Sequence, residues 1–101
     1  MKRIATLLVL MFVMLTASIS GAAPSGERLF NQKCIMCHIV NGKGGAIGPE
    51  LTKIGLRMGD AQIRVKMAYP KKSNPSTTMP SFQTLSGPEF DAIATYTRNL
   101  K

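Results

Sequence analysis

The spacing of apolar residues along this chain changes character near residue 23. Ile4 to Ile19 is an almost unbroken apolar run, interrupted only by Thr6, Thr16 and Ser18. Beyond it, apolar positions are sparser and recur in threes and fours, the period of a helix buried on one side. The clearest case lies at the C-terminus. Ser86-Gly87-Pro88-Glu89 has the form of a capping box, with proline early in the helix where its missing N–H costs nothing. Phe90, Ile93, Ala94, Thr97 and Leu100 then make a continuous stripe. An earlier helix is predicted from Ser25 to Lys33, with Leu29, Phe30 and Cys34 on one face. Another starts near Asp60 as N-cap, sets Ile63 and Met67 one turn apart and is stopped by Tyr69-Pro70. A short turn is expected over Leu51–Leu56.

Two segments read as non-helical. Gly42, Gly44, Gly45 and Gly48 make Asn41–Pro49 too costly in backbone entropy. Pro70–Pro80 carries three prolines, and an irregular stretch of that length in a small domain needs something to hold it. No internal repeat is visible, and β-branched residues do not alternate over a useful length. The fold class is therefore all-α, with three to four helices.

The N-terminal run belongs to a different kind of element. Basic Met1-Lys2-Arg3, the apolar stretch and the small residues Ser20-Gly21-Ala22-Ala23 follow the order of a secretory signal peptide. Cleavage is expected after Ala22, because Pro24 crowds a cut after Ala23. The stretch is shorter than the roughly 20 residues of a comfortable membrane span. Residues 1–22 are thus a leader, 23–101 form one domain, and the expected location is periplasmic. Such a domain buries a modest core and usually needs a disulfide, metal or cofactor to complete it.

Charge narrows the partners. The whole chain carries +8, and removal of Lys2 and Arg3 leaves +6. Export, the scatter of the basic residues and the lack of interleaved aromatics exclude nucleic acid. Acidic proteins, met transiently, fit better. No stable membrane association is expected once the leader is cut, and the domain is expected to be monomeric.

The chemistry is concentrated in five residues. Cys34-Ile35-Met36-Cys37-His38 has the C-x-x-C-H spacing that attaches haem c through two thioethers, with the histidine as proximal iron ligand. The chain holds no other cysteine or histidine. Zinc lacks a full set of ligands, a thioredoxin-type dithiol lacks its preceding strand, and a bare disulfide leaves His38 idle. Bis-histidine ligation within the chain is excluded, so a methionine is the natural second axial ligand. Met36 sits inside the attachment motif, Met67 reads as an ordinary helix-face residue, and Met58 stays open. Met79 is favoured. It ends the proline-rich loop about 40 residues after His38, with Pro80 to stiffen the backbone beside it.

Other signals weigh less. The glycines at 42, 44, 45 and 48 match neither phosphate-binding fingerprint, and read as a loop that lets backbone approach a cofactor. Lys71 and Lys72 are either a docking rim or plain solvation.

Over essentially the whole of 23–101 the chain resembles the class I, small soluble monohaem c-type cytochromes. The resemblance is carried by Gly26-Glu27-Arg28-Leu29-Phe30 before the haem motif, Gly48-Pro49-Glu50-Leu51 after it, then Met79-Pro80-Ser81-Phe82 and Ile93-Ala94-Thr95-Tyr96. It implies a small cytochrome c-like fold of three to four helices around one covalent haem. It also implies that the end helices cross near Gly26, Phe30 and Tyr96, that Pro49 offers its carbonyl to the His38 ring N–H, and that Leu51 and Ile54 pack on the ring. The chain departs from many members in having no tryptophan and a short middle section, which leaves Tyr69 as one candidate donor to a haem propionate. The function implied is one-electron carriage outside the cytoplasm, with His38 and Met79 closing both axial positions and no enzymatic activity. The alternative is a haem enzyme or gas sensor with an open or displaceable sixth position.

Overall fold

Two helices cross face to face at the centre of this protein, α1 (Gly26–Lys33) and the C-terminal α4 (Gly87–Arg98). The computed structural model describes residues 24–101, so the expected leader, residues 1–22, and its cleavage point lie outside the described residues. Between the crossing helices the chain forms a two-stranded hairpin, β1 (Ile39–Val40) and β2 (Lys43–Gly44), and a 3-10 turn over Ile54–Leu56. Two further helices follow, α2 (Asp60–Ala68) and the single-turn α3 (Pro70–Ser73). Among the described residues, four helices around one small core agree with the all-α class expected from the apolar periodicity.

The crossing depends on a missing side chain. A Cβ on Gly26 would sit 2.9 Å from the Tyr96 Cβ and collide with the Ala92 carbonyl. Phe30 (1% exposed) then fits beneath Tyr96, with ring centroids 5.2 Å apart and planes tilted by 53°. Ile93 and Ala94 from α4, Ile63 and Met67 from α2 and Val40 from the hairpin complete the core. The expected α4 stripe is therefore buried at Ile93, Ala94 and Thr97, with Phe90 and Leu100 half-buried at its ends.

Caps define where the helices begin. The Ser25 hydroxyl accepts the Arg28 N–H at 3.2 Å, and the Ser86 hydroxyl accepts the Glu89 N–H at 3.3 Å. Glu89 reaches back to the Ser86 hydroxyl, at 3.1 Å, rather than to its backbone as in a standard capping box.

Two expectations need correction, and a third gains detail. Asp60 is the first helical residue of α2, not its cap; Gly59 holds that position and donates its N–H to Gln62 Oε1 at 3.0 Å. The Asp60 carboxylate instead pairs with Arg64 at 2.9 Å, one turn on, and Arg64 also reaches Asp91 on α4. Pro70 ends α2 and at once opens α3, since a helix loses nothing by proline at its first position. Only the part after Ser73 is irregular. The glycine-rich segment holds the hairpin: Asn41 and Gly42 both take positive φ, 51° and 79°, the backbone of a two-residue type I′ turn.

Candidate functional site

The residues of the C-x-x-C-H motif extend α1 as a coil of tight turns. Cys34 N–H donates to Phe30 O at 2.8 Å, and His38 N–H donates to Cys34 O at 3.0 Å. Cys34 and His38 therefore stand one turn apart on the same side, and both line an elongated apolar cavity of about 460 Å³. Cys37 borders a second cavity of about 320 Å³ whose walls share Cys34, His38, Pro49 and Met79 with the first. Burial pushes the Cys34 thiol up to about 11, so in the bare polypeptide it is neutral at physiological pH. Met36 is 74% exposed and lines neither cavity.

The segment after the hairpin is tied back across the motif. Gly48 N–H donates to Cys37 O at 2.6 Å, and Leu51 N–H donates to Ile39 O at 2.9 Å. Thr52 accepts the Asn41 N–H at 3.0 Å and donates to Glu50 at 2.8 Å. These bonds carry the Pro49 carbonyl to 2.7 Å from His38 Nδ1. A neutral imidazole then keeps its proton on Nδ1 and leaves Nε2 as the basic nitrogen. Leu51 and Ile54 stand on the cavity wall beside it.

Met79 comes from the other side of the fold, and its loop is pinned at both ends. Before it, Thr77 N–H donates to Asn74 O at 3.1 Å and Met79 N–H to Thr77 Oγ1 at 3.2 Å. After it, Ser81 Oγ and Gln83 Nε2 both donate to Ala68 O, each at 2.7 Å, and Phe82 N–H donates to Met67 O at 2.9 Å. Ala68 ends α2, so these donors satisfy a carbonyl that the helix itself leaves unpaired. Met58 and Met67 line the first cavity as well. Met67 is also buried in the core, and of these three methionines only Met79 borders both cavities. Tyr69 is 54% exposed and faces an adjoining groove, which Met79 also borders, with Lys71 and Lys72.

An apolar cavity with one thiol on its wall and a second on the cavity adjoining it, an imidazole with one nitrogen already bonded, and three thioethers suits a flat apolar iron cofactor. Among the described residues no three His, Cys, Asp or Glu side chains gather around a point where a free metal ion would sit. Arg57 and Lys66 on the same wall, with Thr97, are groups that sequence reasoning missed. Position along the chain alone gave no sign that they share a cavity with His38.

A family model described as Cytochrome c matches residues 23–101. The chain is 30% identical over 88 residues to cytochrome c oxidase subunit 2 of Alkalihalophilus pseudofirmus, covering 78% of this chain but only about a quarter (26%) of that relative. In structure it is similar to SoxXA from P. pantotrophus, with a TM-score of 0.66 and 22% identity over 83% of this chain and 87% of that one. The second likeness concerns the fold alone.

Proposed function

We propose, from the premise that this chain belongs to the cytochrome c family, that it is an extracytoplasmic one-electron carrier with His/Met axial ligation. Family membership makes it a haem-based electron carrier; the attachment points, ligands, location and partners are our reading. One haem joined to Cys34 and Cys37 fits the two thiols that border the cavities. The haem supplies the one-electron change between ferric and ferrous iron.

The chain's residues account for the rest. His38 offers Nε2 as a strong donor, because the Pro49 carbonyl at 2.7 Å fixes the tautomer and the ring direction. Met79 offers a weak sulfur donor, which favours the reduced state and raises the potential. Phe30, Leu51, Ile54, Ile63 and Ile93 line the cavity with hydrocarbon and keep water out. Anchors on either side of Met79 hold the thioether in place through oxidation and reduction. With His38 and Met79 both holding the iron, no site would be left for peroxide or oxygen, and the protein would act as a carrier rather than an enzyme. The excess of basic residues steers it to acidic donors and acceptors, in encounters that weaken with salt.

The convergence of His38 and Met79 on the same two cavities carries this reading. It is tested on protein exported by a host with haem-attachment machinery. Intact mass should equal the chain from Ala23 onward plus one haem, and a redox titration should follow a single one-electron step. Bare-peptide mass contradicts the attachment. Tight carbon monoxide binding to the reduced protein would favour an open-site enzyme or sensor.

A further inference from the structure

The helix α4 contributes two side chains to the cavity shared by His38 and Met79, Ile93 and Thr97, and they differ in kind. Thr97, 7% exposed, is the one buried polar side chain among the described residues. The other neutral polar residues of that lining lie nearer to water: Ser73 and Asn74 are exposed, and Thr77 is half-buried. Valine has the branched shape of threonine without the oxygen, so packing alone does not ask for a hydroxyl at position 97. The helix does not ask for it either. Thr97 Oγ1 donates to the Ile93 carbonyl at 2.8 Å. That oxygen already serves the helix ladder, and back-bonding of this kind slightly destabilises a helix.

The bond to Ile93 commits the hydroxyl proton. Only lone pairs are then left for the cavity, a fixed partial negative charge in surroundings of low dielectric. Iron carries one more positive charge when oxidised than when reduced, so a negative dipole close by favours the ferric state. We infer that Thr97 tunes the haem, its hydroxyl holding the potential below the value that a hydrocarbon side chain at this place would set. The inference rests on the haem reading of the site and adds a residue to it. Thr97 is not a ligand; it acts through space, against the upward pull of the Met79 sulfur.

Redox titration of holoprotein carrying Thr97→Val, Thr97→Ser or Thr95→Val tests it, with urea unfolding of each as the structural readout. Thr95 is exposed on the same helix and serves as the control. Thr97→Val should raise the potential, so that the reduced-to-oxidised ratio at the wild-type midpoint grows several-fold, without loss of stability. Thr97→Ser keeps the hydroxyl and should keep the wild-type potential, while losing stability to the missing methyl. Thr95→Val should leave the potential unchanged. If Thr97→Val fails to mature, Thr97→Ala against Thr97→Ser isolates the same hydroxyl, and the alanine variant should have the higher potential. An unshifted or lowered potential on loss of the hydroxyl, or an equal rise in Thr97→Ser or Thr95→Val, overturns the inference. Absence of haem mass in wild type would sink the underlying reading, whereas haem-bearing variants without the shift sink only this assignment.

Discussion

Gly48 lies against the imidazole of His38 so closely that a Cβ there would come within 2.8 Å of Nδ1 and 3.1 Å of Nε2. The first distance is shorter than side chains tolerate and the second is tight, and the hydrogen bond from Gly48 N–H to Cys37 O prevents the backbone from backing away. Gly48→Ala should therefore turn the ring and weaken its bond to Pro49. Disturbing such an orienting contact typically costs about 10–100-fold in metal affinity or activity. The absorption spectrum of the variant should show a mixture of spin states and a lowered potential. A wild-type spectrum and potential would show that the ring is not held this way.

Two glycines at the same helical position should respond in opposite directions. Gly26 opens α1 against Ala92 and Tyr96, whereas Gly87 opens α4 with nothing within 4 Å of its missing Cβ. Gly26→Ala overpacks the helix crossing and should cost about 1–3 kcal/mol. Gly87→Ala only restricts the unfolded chain and should add about 0.4–1 kcal/mol. Urea unfolding of the holoprotein, followed by far-ultraviolet circular dichroism, reads both.

The Met79 loop has a redundant anchor. Ser81 and Gln83 donate to the same Ala68 carbonyl, so either alone still satisfies it. Ser81→Ala or Gln83→Ala should each cost no more than about 0.5–1.5 kcal/mol. The double variant should cost more than the sum of the two, because it leaves the carbonyl unpaired and frees the loop. Displacement of Met79 by added imidazole should be faster in the double variant than in either single one. Equal rates in all three would mean that the loop is held elsewhere.

Periodicity made the crossing helices legible, because Phe30 and the Ile93–Thr97 stripe face the core with the expected spacing. The His38–Pro49 contact at 2.7 Å matches the arrangement that the family resemblance implies. The hairpin was not legible by periodicity, since strands of two residues are too short for alternation to register. Its signal was the Asn41-Gly42 pair, which favours a type I′ turn. Pro70 was legible as a stop and not as a start, although proline serves both roles at adjacent helices. Arg57 and Lys66 had no sequence signal toward the site. A cation on a cavity wall looks like any surface cation until the fold brings its element beside the cavity.

If His38 and Met79 are the two protein ligands of the iron, as proposed, the variant Met79→Ala will show it. Oxidised wild type should give a six-coordinate low-spin spectrum with the weak sulfur-to-iron band. Met79→Ala should lose that band, become high-spin or water-ligated, and show a lower potential, while Met58→Ala and Met67→Ala keep it. Retention of the band in Met79→Ala, with its loss in Met58→Ala or Met67→Ala, would contradict the account and move the sixth ligand to that residue.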